Sequence, residues 1–244
     1  MIKKMLLTFS IFITSTLLAK DNGNFFQTEA EIGLERSQLL GHIKIGPDNN
    51  STKLDIKNDL GVKDSKEGLK AMLTRSTTHH KFGFKLEKYE HAGSKKLSSN
   101  ILYNGSSHAD ATLINSEISL KWAKAKYRYR YTKDFSIGVD LNGMRFKTIV
   151  NHDEAKKTML LPALGIDYEK EIEEGLNFIT KASSTLIGES NYHYAYAGFS
   201  YDLKVLHCTC LHIGYQYKNL NIDTDNIDVA LKYQGLYAGL AMKF

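Results

Sequence analysis

Charged side chains recur at alternate positions in two segments of this chain, and their types and spacing could do chemistry. The acidic set is Glu29, Glu31 and Glu35, and the basic set is Lys124, Lys126, Arg128 and Arg130. Because successive side chains of a β-strand point to opposite faces, each set lies on one face of an extended segment. Inside a barrel, the two sets could select the ions that pass through a pore. Alternatively, they could pair with each other and fill the interior, because unpaired buried charge is costly. We favour this plug of ion pairs.

Catalysis by histidine needs a nucleophile or an acid within hydrogen-bond reach of the imidazole. The chain has nine histidines, and most of them fall in predicted turns, loops or strand ends. His212 alone is predicted in mid-strand facing the interior, without a recognisable serine partner. Asp223, Asp225 and Asp228 lack the glycine and the terminal glutamate of a calcium loop. We therefore predict no catalytic residue, no metal and no cofactor, and we expect that the protein is not an enzyme.

The two cysteines, Cys208 and Cys210, are separated by one residue. Zinc sites use spacers of about two to four residues and usually four ligands, so this pair does not fit one. A disulfide between neighbours this close is strained. We interpret the two cysteines as small residues on the same face of one strand, and the sequence leaves their redox state open.

The first residues have the pattern of a secretory signal peptide. Lys3 and Lys4 precede an apolar run over residues 5–19, and polar residues follow from Lys20. The run is shorter than the roughly 20 apolar residues of a membrane helix, which argues against an anchor. We predict a signal peptide over residues 1–19 and one domain over residues 20–244, with the exact cleavage site left open.

The composition favours β-structure and excludes several classes of protein. There are 14 Tyr and 11 Phe, which favour strands, and only 2 Pro, which would interrupt them. Hydrophobic residues make up 42% of the chain, which is too much for a disordered protein. The net charge of +5 is small and dispersed along the chain, so nucleic acid is not expected as a partner.

Apolar and polar residues alternate in segments of about ten residues, which suits a tilted strand that crosses a bilayer. Strands of soluble sandwiches are shorter, at about five or six residues. Short and long connections also alternate along the chain, as in outer-membrane barrels. The predicted strands are 27–36, 67–77, 80–90, 113–131, 135–150, 159–170, 175–187, 192–203, 207–218 and 235–244. The fold class predicted is an all-β, transmembrane, antiparallel up-and-down barrel of about 10 strands, within a range of about 8 to 12.

Two features complicate this pattern. Residues 225–233 and 54–56 also alternate, and either segment could extend a strand beyond the membrane or form a small hairpin. In the fourth strand the apolar residues Ile114, Ile118 and Trp122 are at even positions, whereas Tyr127 and later tyrosines are at odd ones. This change of parity predicts a β-bulge near Trp122.

The last segment has alternating apolar residues and a terminal aromatic. These residues are Leu236, Ala238, Leu240, Met242 and Phe244. This ending resembles the C-terminal strand of bacterial outer-membrane barrels, and the resemblance implies that the barrel-assembly machinery reads it during biogenesis.

Four further segments resemble a family of small proteobacterial outer-membrane β-barrel proteins of unassigned function. They are LDIKNDLGV (54–62), YRYRY (127–131), GYQY (214–217) and GLYAGL (235–240). The resemblance implies the barrel fold and a place in the outer membrane of a Gram-negative bacterium. Outer-membrane lipids and lipopolysaccharide are then the expected partners.

Three hypotheses for the function remain. The first is a structural or surface-interaction barrel with a narrow, largely plugged interior, acting through segments 37–66 and 91–111. The second is a channel for small solutes or ions, similar to a porin, and the third is a lipid-modifying enzyme. The sequence leaves open the solute, the oligomeric state and the role of the long loops.

Overall fold

The computed structural model describes residues 27–46, 51–62, 65–185, 188–203 and 208–244, so the predicted signal peptide lies outside the described residues. Thirteen strands occur in this part of the chain. They are β1 (Gln27–Ile45), β2 (Leu54–Asp55), β3 (Ser65–Ser76), β4 (His80–Lys96), β5 (Ile101–Tyr103), β6 (Ser106–His108), β7 (Leu113–Arg130), β8 (Phe135–Val150), β9 (Asp153–Glu173), β10 (Leu176–Thr185), β11 (Asn191–Asp202), β12 (Thr209–Thr224) and β13 (Ile227–Lys243). Within the same ranges, no helix is long and apolar enough to cross a membrane.

Ten of these strands form a closed antiparallel barrel in the order β1, β3, β4, β7, β8, β9, β10, β11, β12, β13. The barrel closes between β1 and β13, which pair from Glu29 with Lys243 to Ile45 with Ile227. The short strand β2 pairs with β1, while β5 and β6 form a separate hairpin. The predicted fold class and the predicted number of barrel strands are confirmed.

The two ends of the barrel differ. At the short-turn end, tight turns at 77–79, 131–134 and 174–175 join neighbouring strands. At the other end, which we call the extended end, several strands continue beyond their predicted limits. β1 runs to Ile45, and β12 and β13 meet in a two-residue turn at Asp225 and Asn226. The long connection predicted over 219–233 is therefore wrong, and the alternative that residues 225–233 extend a strand is correct.

The polarity of the wall reverses along each long strand. In β7, the even-numbered residues face the interior throughout: Ile118 and Trp122 near the extended end, and Lys124 and Arg128 near the short-turn end, are all buried. The pairing of β7 with β4 and β8 continues without a shift in register. The predicted bulge near Trp122 is therefore wrong. The side chains do not change face; instead, the interior changes from apolar to charged.

Near the short-turn end, the outer surface carries a belt of exposed apolar side chains. It includes Ile32, Leu34, Phe82, Phe84, Leu86, Ile137, Val139, Leu141, Leu164, Ile166, Phe199, Ile213, Leu236, Leu240 and Met242. These residues come from strands all around the barrel. A continuous apolar band of this kind is the surface that outer-membrane barrels present to lipid.

Above the belt, the described residues form an apolar core inside the barrel, toward the extended end. Barrel residues such as Ile43, Phe146 and Leu220 are fully buried there. The connecting segments contribute as well, since Ile56 and Tyr103 are also fully buried in the same cluster. Each large apolar side chain removed from water contributes roughly 1.5–3 kcal/mol, so this half of the barrel is built like a soluble protein.

Candidate functional site

The interior near the short-turn end holds a charge layer below the apolar core. It consists of Glu31, Glu35, Lys70, Lys85, Glu87, Lys124, Lys126, Arg128, Asp140, Asp167, Lys181 and Lys218. Of the residues predicted from sequence, Glu31, Glu35, Lys124, Lys126 and Arg128 belong to this layer. The other two, Glu29 and Arg130, line the wider opening at the short-turn end.

The basic residues of β7 pair with acids on the two strands that follow. The Arg128 guanidinium lies between two carboxylates, 2.7 Å from Asp140 and 3.2 Å from Asp167. The Lys124 ammonium is 3.0 Å from Asp140, and the Lys126 ammonium is 2.9 Å from Asp167. The result is one network in which two carboxylates hold three cations.

The acids of β1 have their own partners on other strands. Glu31 is 3.4 Å from the Lys70 ammonium and 3.3 Å from His212, and it accepts a hydrogen bond from Tyr237. Glu35 is 3.1 Å from the Lys218 ammonium, which is also 3.1 Å from Glu87. The prediction that the acidic set pairs with the basic set is therefore wrong. Glu31 and Glu35 pair instead with Lys70 and Lys218, and the basic residues of β7 pair with Asp140 and Asp167.

Sequence reasoning missed the partners of both sets for two reasons. Asp140 is the only charged residue on the inward face of β8, whereas Asp167 begins an acidic run with Glu169 and Glu171 in β9 that the sequence analysis did not single out. A signal was nevertheless present: Asp140 lies between Val139 and Leu141, whose apolar side chains face outward. A single charge opposite an apolar face marks an interior position in a membrane barrel.

Aromatic side chains separate the charge layer from the apolar core. Tyr192 packs against Trp122 with 4.3 Å between the ring centroids. The Lys85 and Lys124 ammonium groups each lie 4.9 Å from the centre of the Tyr194 ring. Cations bind the faces of aromatic rings at such distances. Trp122, Tyr192 and Tyr194, which we call the aromatic shelf, therefore contact the charges below them and apolar residues above them.

Below the charge layer, the barrel opens into a vestibule of about 420 Å³ at the short-turn end. Its wall includes Glu29, Lys81, Arg130, Glu169 and Lys243. The Lys81 ammonium lies 3.8 Å from the Glu169 carboxylate, so part of this wall is also paired. The vestibule is bounded above by Asp167, which belongs to the charge layer.

At the extended end, burial changes the acidity of one phenol. Tyr103 in the β5–β6 hairpin is fully buried. Burial raises the pKa of Tyr103 to about 12, because the charged phenolate would lose its water. The phenol is therefore neutral at physiological pH, and it packs in the apolar core.

No recognisable catalytic arrangement occurs among the histidines that the structure describes. His193 Nδ1 is 2.9 Å from Ser184 Oγ on the outer wall, but no carboxylate contacts His193 in the described part of the chain. His212 pairs with Glu31 in the interior. In the residues that the structure describes, no group of three or more metal-ligating side chains occurs.

Both cysteines are free thiols. The prediction that they lie on the same face of one strand is wrong. Cys208 is exposed in a turn, with a φ of 61°. Cys210 is buried in β12, and its thiol donates a hydrogen bond of 2.9 Å to Asp202. Because of its positive φ, Cys208 lies in the turn before β12. Only Cys210 takes part in the inward–outward alternation of that strand.

Comparison with solved structures shows an outer-membrane β-barrel fold. The outer membrane protease OmpT from Escherichia coli superimposes with a TM-score of 0.60, at 9% identity, over 91% of this chain and 99% of that chain. Two further structures have lower TM-scores. Ail from Yersinia pestis has a TM-score of 0.38 and 11% identity over 90% of this chain and 99% of that chain. Neisserial surface protein A has a TM-score of 0.35 and 14% identity over 91% and 100%.

No protein-family model matches the chain, and no curated protein matches it. The resemblance to a specific small proteobacterial family therefore gains no support from these comparisons. The similarity to OmpT shows the fold alone and does not assign protease activity to this chain.

Proposed function

We propose that the protein is an integral outer-membrane barrel with a sealed interior, which acts at the cell surface and has no enzymatic activity. The observation that carries this proposal is the continuous filling of the barrel. The vestibule ends at the charge layer, the aromatic shelf covers that layer, and the apolar core fills the remaining interior up to the extended end. Narrow barrels can be filled in this way by their own side chains.

The orientation follows from the ends of the barrel. Outer-membrane barrels keep short turns in the periplasm and longer segments outside the cell. Gln27 at the start of β1 and Phe244 both lie at the short-turn end, where Phe244 exchanges backbone hydrogen bonds with Thr28. In this orientation the vestibule faces the periplasm, and the extended end projects from the cell. The outward apolar face of β13 is the surface offered to the assembly machinery.

The exposed basic residues of the outer wall are suited to bind the phosphates of lipopolysaccharide. Lys88, Lys121 and Arg145 are register neighbours across β4, β7 and β8. They lie two residues beyond the apolar row of Leu86 and Ala123, a rise of roughly 7 Å. Lys121 and Arg145 are exposed, and neither has an ion pair within the described residues. Phosphates of lipopolysaccharide at this level would supply the missing negative charge.

The conductance of the refolded barrel tests the sealed interior. In planar bilayers with asymmetric potassium chloride, we expect no discrete openings, because the apolar core excludes hydrated ions. A heat-dependent gel shift of the same sample establishes that the silent protein is folded. Discrete openings with a charge-selective reversal potential would instead make the protein a channel, with the charge layer as its filter.

Removing the two unpaired bases of the outer wall tests the lipid partner. We expect the double variant Lys121→Gln, Arg145→Gln to bind lipopolysaccharide roughly thirtyfold more weakly, at about 1 kcal/mol for each base near an anionic surface. The measurement is titration of the refolded barrel with lipopolysaccharide in detergent. The matched control, Lys44→Gln with Lys232→Gln, makes the same change of charge on β1 and β13. An equal loss of lipopolysaccharide affinity in both variants would show that only the net charge matters, and it would contradict the proposed site.

A further inference from the structure

The charge layer surrounds a small cavity of about 30 Å³ whose wall is strongly basic. Six cationic side chains line it: Lys70, Lys85, Lys124, Lys126, Arg128 and Lys181. Only two acids, Asp140 and Asp167, line the same space. The cavity therefore offers a concentration of positive charge that its own wall does not balance.

The excess of positive charge extends to the whole charge layer. The layer contains seven bases and five acids, an excess of two positive charges. Unpaired charge inside a barrel costs several kcal/mol per ion, because it has lost its water without gaining a partner. Glu29 and Glu169 of the adjoining vestibule compensate part of this charge, because both act on Lys181. For the remainder two solutions exist: either some lysines give up their protons, or an anion from solution completes the layer.

The hydrogen-bond geometry favours the anion. A lysine ammonium has three donors. Lys70 and Lys126 each contact one carboxylate, at 3.4 Å and 2.9 Å. For Lys181, no ion pair occurs in the described part of the chain, and its ammonium lies 5.6 Å from the centre of the Tyr196 ring. The Lys70 ammonium also lies 3.7 Å from the centre of the Tyr237 ring. None of these three ammonium groups has carboxylate acceptors for all of its donors in the described part of the chain, and all three side chains line the cavity.

An anion could enter from one side. Asp167 lines both the cavity and the vestibule, so the two spaces meet there. On the opposite side, Tyr194 lines the cavity and belongs to the aromatic shelf. The cavity thus adjoins the vestibule on one side and the aromatic shelf on the other.

We propose that this cavity binds a small inorganic anion, such as chloride or phosphate, taken from the periplasmic vestibule. Lys70, Lys126 and Lys181 donate hydrogen bonds to it. Because the apolar core lies beyond the aromatic shelf, the anion binds without being conducted, which separates this site from a selective channel.

Calorimetric titration of the refolded full barrel tests the proposal. The protein is placed in sodium gluconate, whose anion is bulky, and titrated with sodium chloride or sodium phosphate at constant ionic strength. We expect saturable binding of one anion per barrel. Lys181→Met should weaken that binding at least tenfold, because it removes a donor and a charge while leaving every carboxylate of the layer with a partner.

Two further measurements keep the test decisive. Lys232→Met removes the same charge from the outer wall and should leave anion affinity unchanged. Bromide soaked into crystals of the wild-type protein should give an anomalous peak between Lys70, Lys126 and Lys181, even if Lys181→Met fails to fold. Absence of saturable heat with both anions, equal affinity in Lys181→Met and wild type, or a bromide peak elsewhere would each overturn the proposal.

Discussion

Asp140→Ala is expected to lower the free energy of unfolding by about 3–5 kcal/mol, because it leaves buried cations without a counter-charge. Asp140 is 2.7 Å from the Arg128 guanidinium and 3.0 Å from the Lys124 ammonium. All three side chains are almost fully buried. Reversible urea unfolding of the barrel in lipid vesicles measures the loss.

The control is Glu117→Ala, which removes an exposed acid from the outer face of β7. Surface changes of this kind stay within about 0.5 kcal/mol. Combining Asp140→Ala with Lys124→Met should restore part of the stability, because an uncompensated cation then becomes an apolar side chain. If Asp140→Ala behaved like the surface control, water from the vestibule would be solvating these cations, and the burial of the charge layer would not be what makes its ion pairs important.

Sequence patterns identified the barrel because the membrane-spanning half of each strand obeys one simple rule. Outward residues such as Ile137 and Val139 meet lipid, and inward residues such as Asp140 do not. Period-two alternation follows directly from that geometry, and the number of such segments gave the number of strands.

The extended half of the barrel could not be predicted by the same rule. There the environment is reversed, since Ile118 faces a dry interior while Glu117 faces outward. Alternation is still present, but its polarity no longer tells inside from outside. If one rule of polarity is applied to the whole of β7, the reversal of polarity between its faces is misinterpreted as a β-bulge.

The ion-pair partners in the interior could not be predicted from the sequence for a different reason. A run such as Lys124, Lys126 and Arg128 shows that a strand face is charged, but it does not show which neighbour supplies the opposite charge. That depends on register: Lys124 pairs across with Asn142, and Lys126 with Asp140, so side-chain length and tilt decide the final contacts. The inward burial of Ile56 and Tyr103 likewise depends on how the connecting segments fold over the end of the barrel.

Phe146→Ala is expected to lower the free energy of unfolding by about 3–5 kcal/mol, the range for removing a large side chain from a packed core. Phe146 is fully buried on the inward face of β8, within the apolar core. The surrounding barrel wall is held by hydrogen bonds on both sides and cannot collapse into the space. Trp122 is the only tryptophan of the chain and lies in the same core, so its fluorescence reports the unfolding directly.

The matched control is Phe84→Ala, whose side chain is 49% exposed in the outer apolar belt. Lipid tails can occupy the space that this truncation leaves, so no cavity term adds to the transfer term and the loss should be clearly smaller. A similar loss at both positions would mean that the extended half of the barrel has no dry core. Ions could then pass beyond the aromatic shelf, and the silent barrel that we propose would have to be replaced by a pore.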